Sequence, residues 1–261
     1  MRSTPLDQGK LARRIRSGEL THGAFCGMGH PASAEIMAVS GLDWVLLDLE
    51  HGGSDESHIG QVVASTGGYG TATLVRVESL ERIRIGRALD AGAAGIMLPR
   101  INDAIQVEET LCYFRYPPQG MRGVATYNRS VRWGLDTGAL DTANSEALCI
   151  VQIETLGALN EVEEIAALDG VDVLFIGPLD LSYALGTPRN FESEEFKDAV
   201  DRVLNAARKA GISAGILSAN TDVAEKRAAQ GFTFLPVGSD STLLANAARD
   251  VAARLGGARH D

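Results

Sequence analysis

Acids, an arginine and a histidine stand at the ends of apolar runs in this chain, and side chains of these types can do chemistry where they converge. The run at 43–48 ends in Asp48 and leads to Glu50 and His51. The run at 71–77 carries Arg76, and that at 148–153 carries Gln152 and is followed by Glu154. The run at 171–176 is followed by Asp180, and the last, at 232–237, by Ser239 and Asp240. Glu154 and Asp180 can together hold one hard divalent cation, leaving positions for water and substrate. The competing reading makes each a helix N-cap or the partner of a nearby arginine. Arg76 offers a planar fork for a carboxylate or a developing oxyanion, or else a structural pair with Glu50 or Glu78. His51 offers an imidazole, the side-chain type suited to acid/base work near neutral pH, or else is a hydrogen-bonded bystander. A zinc hydrolase would need a His pair or HExxH, and neither is present. The four lysines, Lys10, Lys197, Lys209 and Lys226, all lie away from the run ends. A Schiff-base mechanism needs a lysine in the site, so carbonyl chemistry here would have to go through a metal.

The apolar runs predict the elements that position these groups. Strands are expected at 23–28, 43–48, 71–77, 95–98, 148–153, 171–176, 214–217 and 232–237. Their apolarity is continuous, as in a parallel sheet buried on both faces. Helices are expected between them at 32–39, 56–65, 80–91, 104–115, 156–167, 194–210 and 222–230, and after the last strand at 243–255. Eight βα repeats in 261 residues predict an α/β fold, a single-domain (β/α)₈ barrel over 1–261, with sites at the C-terminal ends of the strands. An open doubly wound sheet is the runner-up. It wants a GxGxxG turn after its first strand, whereas Gly27-Met28-Gly29-His30-Pro31 supplies only GxG and a proline. Residues 1–22 read as an N-terminal helical extension. The aperiodic stretch 116–142, rich in Gly, Pro, Arg and aromatics, reads as a long loop over or near the active site.

Composition narrows the partners. Hydrophobic residues make up 45% and charged residues 22% of the chain, as in a globular protein. No apolar run is long enough to span a membrane, and the start lacks the apolar core of a secretory leader. The net charge of −10 argues against a nucleic-acid partner. Three cysteines, Cys26, Cys112 and Cys149, include no CxxC pair and predict a reducing, cytoplasmic setting.

Over most of its length the chain resembles the HpcH/HpaI aldolases, metal-dependent class II pyruvate aldolases. The segments that carry the resemblance begin with Gly41 to Gly52, Leu74-Val75-Arg76-Val77 and Ala88 to Pro99. They continue with Arg115 to Gly123, Gln152-Ile153-Glu154-Thr155, Ile176 to Ser182 and Val237-Gly238-Ser239-Asp240. The resemblance implies Glu154 and Asp180 as ligands for Mg²⁺, Mn²⁺ or Co²⁺. It places Gln152 beside a bound keto acid and Arg76 on the keto oxygen. It makes His51 the acid/base group, oriented by Asp48 or Asp90, and gives backbone N–H groups near Leu179 and Asp180 to the pyruvate carboxylate. It further implies cleavage of a 4-hydroxy-2-oxo acid to pyruvate and an aldehyde, a place in aromatic catabolism, and a homo-oligomer, a hexamer built as a trimer of dimers through an exchanged last helix. Two positions depart from the pattern. Leu179 stands where a small or polar residue is frequent, and Gly52-Gly53 follows His51 in place of Ala-Pro.

Two rival functions are carried forward. One is a related barrel lyase acting on a CoA thioester (citryl- or malyl-CoA lyase-like), with Arg122, Arg129 and Arg132 supplying contacts for the CoA phosphates. The other is a non-catalytic barrel that binds a small acid.

Overall fold

A computed structural model describes residues 9–256. The strands β1 (Thr21–Cys26), β2 (Trp44–Asp48), β3 (Ala72–Arg76), β4 (Gly95–Leu98), β5 (Leu148–Ile153), β6 (Val173–Ile176), β7 (Ser213–Ile216) and β8 (Phe234–Ser239) close into one parallel barrel in chain order. The (β/α)₈ expectation is met, and no helix among the described residues is long and apolar enough to cross a membrane.

Strand alternation decides what faces the barrel axis. Trp44 and Leu46 of β2, Leu74 of β3, Leu148 and Ile150 of β5 and Phe175 of β6 belong to one inner cluster. The residues between them, Val45, Leu47, Val75, Cys149, Val151 and Ile176, pack outward under the helices. With a period of two, the same inward phase continues to Asp48, Arg76, Gln152 and Glu154. The polar residues are therefore the top layer of the apolar filling. Trp44 stacks on Phe234 with ring centroids 4.2 Å apart, and the strand between them passes only because residue 23 is glycine: a Cβ there would lie 2.3 Å from the indole.

The opposite end of the barrel is closed by α1 (Gly9–Arg16), whose Leu11, Ala12 and Ile15 join the inner cluster. Arg14 pairs with Asp43 and Arg16 with Asp172, each at 2.6 Å. Both acids lie just before strands, so these pairs clamp the helix to the barrel floor. Of the expected extension 1–22, residues 1–8 lie outside the described residues, and β1 already begins at Thr21. Burial pushes the Cys26 thiol up to about 11 and raises Cys149 as well, so neither is a reactive thiolate.

Several helices differ from expectation. α5 (Ala104–Leu111) stops four residues early and passes through turns to Tyr116-Pro117-Pro118. The helix expected at 156–167 is two pieces, α7 (Leu156–Asn160) and α8 (Val162–Ala166), broken where Glu161 adopts φ −110°, ψ 22°. Two helices were not expected at all: α6 (Ala139–Glu146) and α9 (Pro178–Ala184). The segment 116–142 is thus partly helical. Its contacts run down the barrel's side rather than over its mouth. Arg122 pairs with Asp90 at 2.6 Å, at the end of α4 (Arg82–Asp90). Arg129 packs near Gly60 of α3 (Ile59–Gly67) and against Gly92.

Candidate active site

The C-terminal ends of β2 and β3 set the first half of the site. Asp48 and Arg76 are paired in the parallel register. Arg76 donates from Nε to Asp48 Oδ1 at 2.8 Å and from Nη2 to Oδ2 at 2.7 Å. Its Nη1 stands 3.1 Å from Glu50 Oε2, and the guanidinium lies over the Phe25 ring, 5.1 Å from its centre. The backbone N–H groups of Glu50 and His51 also donate to Asp48 Oδ1. Burial pushes the Asp48 carboxyl upward, but Arg76 and these N–H groups outweigh it and hold it below the usual carboxylate range. The structural reading of Arg76 is what the geometry shows: it is a buried partner of Asp48 and Glu50, with N–H groups of its five-donor guanidinium beyond the two bonded to Asp48.

β5 and β6 supply the second half. Glu154 is 2% exposed. Its Oε1 accepts the backbone N–H of Arg100 at 2.8 Å, and its Oε2 accepts from Gln152 Nε2. A Cβ at Gly177 would lie 2.7 Å from both Gln152 Nε2 and Glu154 Oε2, so a side chain at 177 would displace the acid. Asp180 stands in the first turn of α9, with Arg100 Nη1 3.6 Å from its Oδ1. Burial raises the Glu154 carboxyl above its ordinary value, opposed by the Arg100 N–H and reinforced by Asp180 and Glu50. Glu50 is raised by burial too, with Arg76 opposing and Asp48 and Asp180 adding to it. Three acids from β2, β5 and β6 thus feel one another's charge.

The other expected site residues divide. His51 is at the rim, its side chain 66% exposed, with Nε2 3.9 Å from Glu50 Oε1. Asp48 accepts from Arg76 and from the backbone N–H groups of Glu50 and His51, so it holds the start of the His51 loop through the backbone. Asp90, the last residue of α4, is paired within the chain with Arg122 at 2.6 Å. Leu179 is exposed beside Asp180, and its N–H, like that of Asp180, lies in a first helical turn with no intrahelical acceptor. The loop arginines do not gather into a phosphate cradle. Arg122 is buried with Asp90, Arg129 lies over Trp133, and Arg132 faces Asp136 at 3.7 Å.

Three more residues matter here: Glu50 and Asp240, which stand among the run-end acids, and Arg100, which the sequence does not single out. Glu50 is the partner of Arg76 and Arg100 touches both Glu154 and Asp180. Asp240 is buried at the start of α12 (Asp240–Gly256). Its carboxylate accepts the N–H groups of Gly27 at 2.9 Å and Met28 at 3.2 Å, and the Ser33 hydroxyl at 2.8 Å. Gly27 in turn accepts the N–H of Gly53 at 2.9 Å, so the β1 rim and the His51 loop are tied together.

The donor set suits a hard divalent ion. Gln152 Oε1 is buried without a hydrogen-bond donor, and Glu154 and Glu50, raised first by burial and further by neighbouring acids, are groups whose charged form a cation would favour. Among the described residues no three His, Cys, Asp or Glu side chains converge as a ready-made metal cage. Two carboxylates with the remaining positions left to water and substrate is the pattern Mg²⁺ favours.

This barrel and its acid-lined mouth have known counterparts. The sequence pattern of the HpcH/HpaI aldolase/citrate lyase family matches residues 22–247, and the chain belongs to that family. It is a carbon–carbon lyase. It is 37% identical to a hydroxypyruvate/pyruvate aldolase of Pseudomonas aeruginosa, over 95% of this chain and 93% of the relative. It is 34% identical to a 4-hydroxy-2-oxo-heptane-1,7-dioate aldolase of Shigella sonnei (strain Ss046), over 93% of each. Among solved structures, an HpcH/HpaI aldolase/citrate lyase family protein of Burkholderia cenocepacia J2315 superposes with a TM-score of 0.91 at 32% identity, covering 95% of this chain and 99% of the other.

Proposed function

We propose that this protein is a class II pyruvate aldolase that reversibly cleaves 4-hydroxy-2-oxo acids to pyruvate and an aldehyde. The observation that carries the reading is the pairing, at one barrel mouth, of a buried guanidinium with a separate, mutually repelling carboxylate pair. Glu154 and Asp180 would hold Mg²⁺, Mn²⁺ or Co²⁺, which supplies electron withdrawal from a 2-keto group. Gln152, whose Nε2 donates to Glu154 Oε2, sits beside the keto acid. The N–H groups of Leu179 and Asp180 receive the carboxylate. Arg76, fixed by Asp48, directs its spare N–H donors at the oxygen that becomes negative in the enolate, where preorganised donors act most strongly. His51, or a water it positions, removes the proton of the 4-hydroxyl. The C3–C4 bond breaks, the aldehyde leaves, and protonation at C3 gives pyruvate. The CoA-thioester reading draws no support from Arg122, Arg129 and Arg132, which are dispersed.

The chain's partners in this reading are a small keto acid and an aldehyde, in the cytoplasm, as its free cysteines favour. A homo-oligomer belongs to the same proposal. Apart from Asp240, α12 has no buried residue, and Leu243, Leu244, Val251 and Leu255 are exposed along it. An unpartnered apolar stripe of this kind supports pairing through the last helix, with a hexamer as the assembly to look for by light scattering.

Deuterium exchange at the pyruvate methyl group in D₂O, followed by proton NMR, tests the enolate chemistry without a choice of aldehyde. Exchange that needs Mg²⁺ or Co²⁺ and stops with chelator supports the reading. Absence of exchange with every ion tried, in folded protein, counts against it.

A further inference from the structure

Arg100 follows β4 and Pro99, and its backbone lies in the left-handed region at φ 56°, a conformation unfavourable for a non-glycine residue. Two contacts accompany that conformation. The N–H donates to Glu154 Oε1 at 2.8 Å, and the guanidinium Nη1 stands 3.6 Å from Asp180 Oδ1. One residue thus touches both acids that the proposed function assigns to the divalent ion, from its backbone on one side and its side chain on the other.

The two contacts differ in kind. The N–H bond reaches a buried carboxylate and is indifferent to the side chain at 100. The ion pair joins side chains 62% and 45% exposed, and it is single and long. Arg76, by contrast, closes with two hydrogen bonds on a buried acid. A guanidinium that rests on an accessible carboxylate without closing on it neutralises that carboxylate and can be exchanged for another cation.

We propose that Arg100 is a placeholder cation: its guanidinium holds Asp180 in the ion-free enzyme and gives up that oxygen when the divalent ion binds. The proposal rests on the reading of Glu154 and Asp180 as metal ligands. Its consequence is a trade. Asp180 stays aimed into the mouth before loading, among acids that would otherwise repel it, and the enzyme binds its ion less tightly than the bare carboxylate pair would.

The test is Mn²⁺ binding without substrate, read from the electron paramagnetic resonance signal of the free ion. Arg100→Gly removes the guanidinium, keeps the N–H and relaxes the left-handed backbone. Arg100→Asn is a second neutral variant that tolerates the same conformation, and Arg100→Lys keeps the charge. The expected result is Mn²⁺ affinity about twofold to fivefold tighter in both neutral variants, the range an exposed ion pair can produce, near-wild-type affinity in Arg100→Lys, and a smaller gap at high salt. Unchanged or weaker binding in both neutral variants overturns the proposal. Glu154→Gln and Asp180→Asn are titrated alongside. If they abolish binding while the neutral variants show no gain, the ligand assignment stands and the placeholder alone falls. If Mn²⁺ binding survives them, the assignment fails and takes the placeholder with it.

Discussion

Asp48 and Arg76 face each other across the register of β2 and β3, and the guanidinium closes on both carboxylate oxygens, at 2.8 and 2.7 Å. The pair is buried, so each partner depends on the other. Arg76→Met leaves Asp48 and Glu50 without a counter-charge and is expected to lower stability by about 3–5 kcal/mol. Adding Asp48→Leu to Arg76→Met removes the stranded charge and is expected to recover much of that loss. Pyruvate exchange should stay absent in both. Urea unfolding and NMR exchange on the same preparations separate the structural from the chemical role of Arg76.

The glutamates give a pH dependence of defined sign. Glu154 and Glu50 are raised in the fold, so the folded state holds protons that the unfolded chain has released. Without divalent ion, their contribution to stability falls as pH rises from the ordinary glutamate range through their raised values. Asp48 is lowered, and its contribution is lost in the other direction, as pH falls from the ordinary aspartate range toward its depressed value. Thermal melts across pH should show the decline on the upper side of the glutamate range become shallower in Glu154→Gln. Saturating Mg²⁺ should do the same in the wild type.

His51 is exposed and carries little packing. His51→Gln is expected to leave the melting temperature unchanged and to slow aldol cleavage by about 10²- to 10⁴-fold, the usual worth of a general acid/base. The acidic limb of the pH–rate profile should disappear with it. Wild-type turnover in this variant would remove His51 from the mechanism.

Gly177 admits the close approach of Gln152 and Glu154, and a Cβ there would sit 2.7 Å from each. Gly177→Ala therefore displaces the buried acid without touching its charge. The expected result is Mn²⁺ affinity reduced at least tenfold in a protein whose far-ultraviolet circular dichroism is unchanged.

Much of this site follows from counting by twos along apolar strands. Trp44, Leu46 and Asp48 share one phase, as do Leu148, Ile150, Gln152 and Glu154, and the runs themselves announce the barrel. The same counting is silent wherever position comes from backbone conformation or from distant chain. Arg100 reaches Glu154 through a left-handed residue that no local pattern demands. Asp240 meets Gly27 across more than two hundred residues of sequence. Asp90, at the end of α4, is held by Arg122, a partner thirty-two residues on that no local pattern announces. Glu50 is legible as a partner for Arg76, but that it shares the guanidinium with Asp48 becomes visible only in the structure.

The hold of Asp240 on Gly27, Met28 and Ser33 also fixes where the chain can be shortened. A stop codon placed after Thr242 would discard the apolar face of α12 and still leave the rim fastened. One placed before Asp240 would unfasten the β1 loop and, through Gly27 and Gly53, the loop that carries His51. A truncation series across these few codons should therefore separate self-association from turnover, with assembly failing once the chain stops after Thr242 and catalysis only when it stops before Asp240.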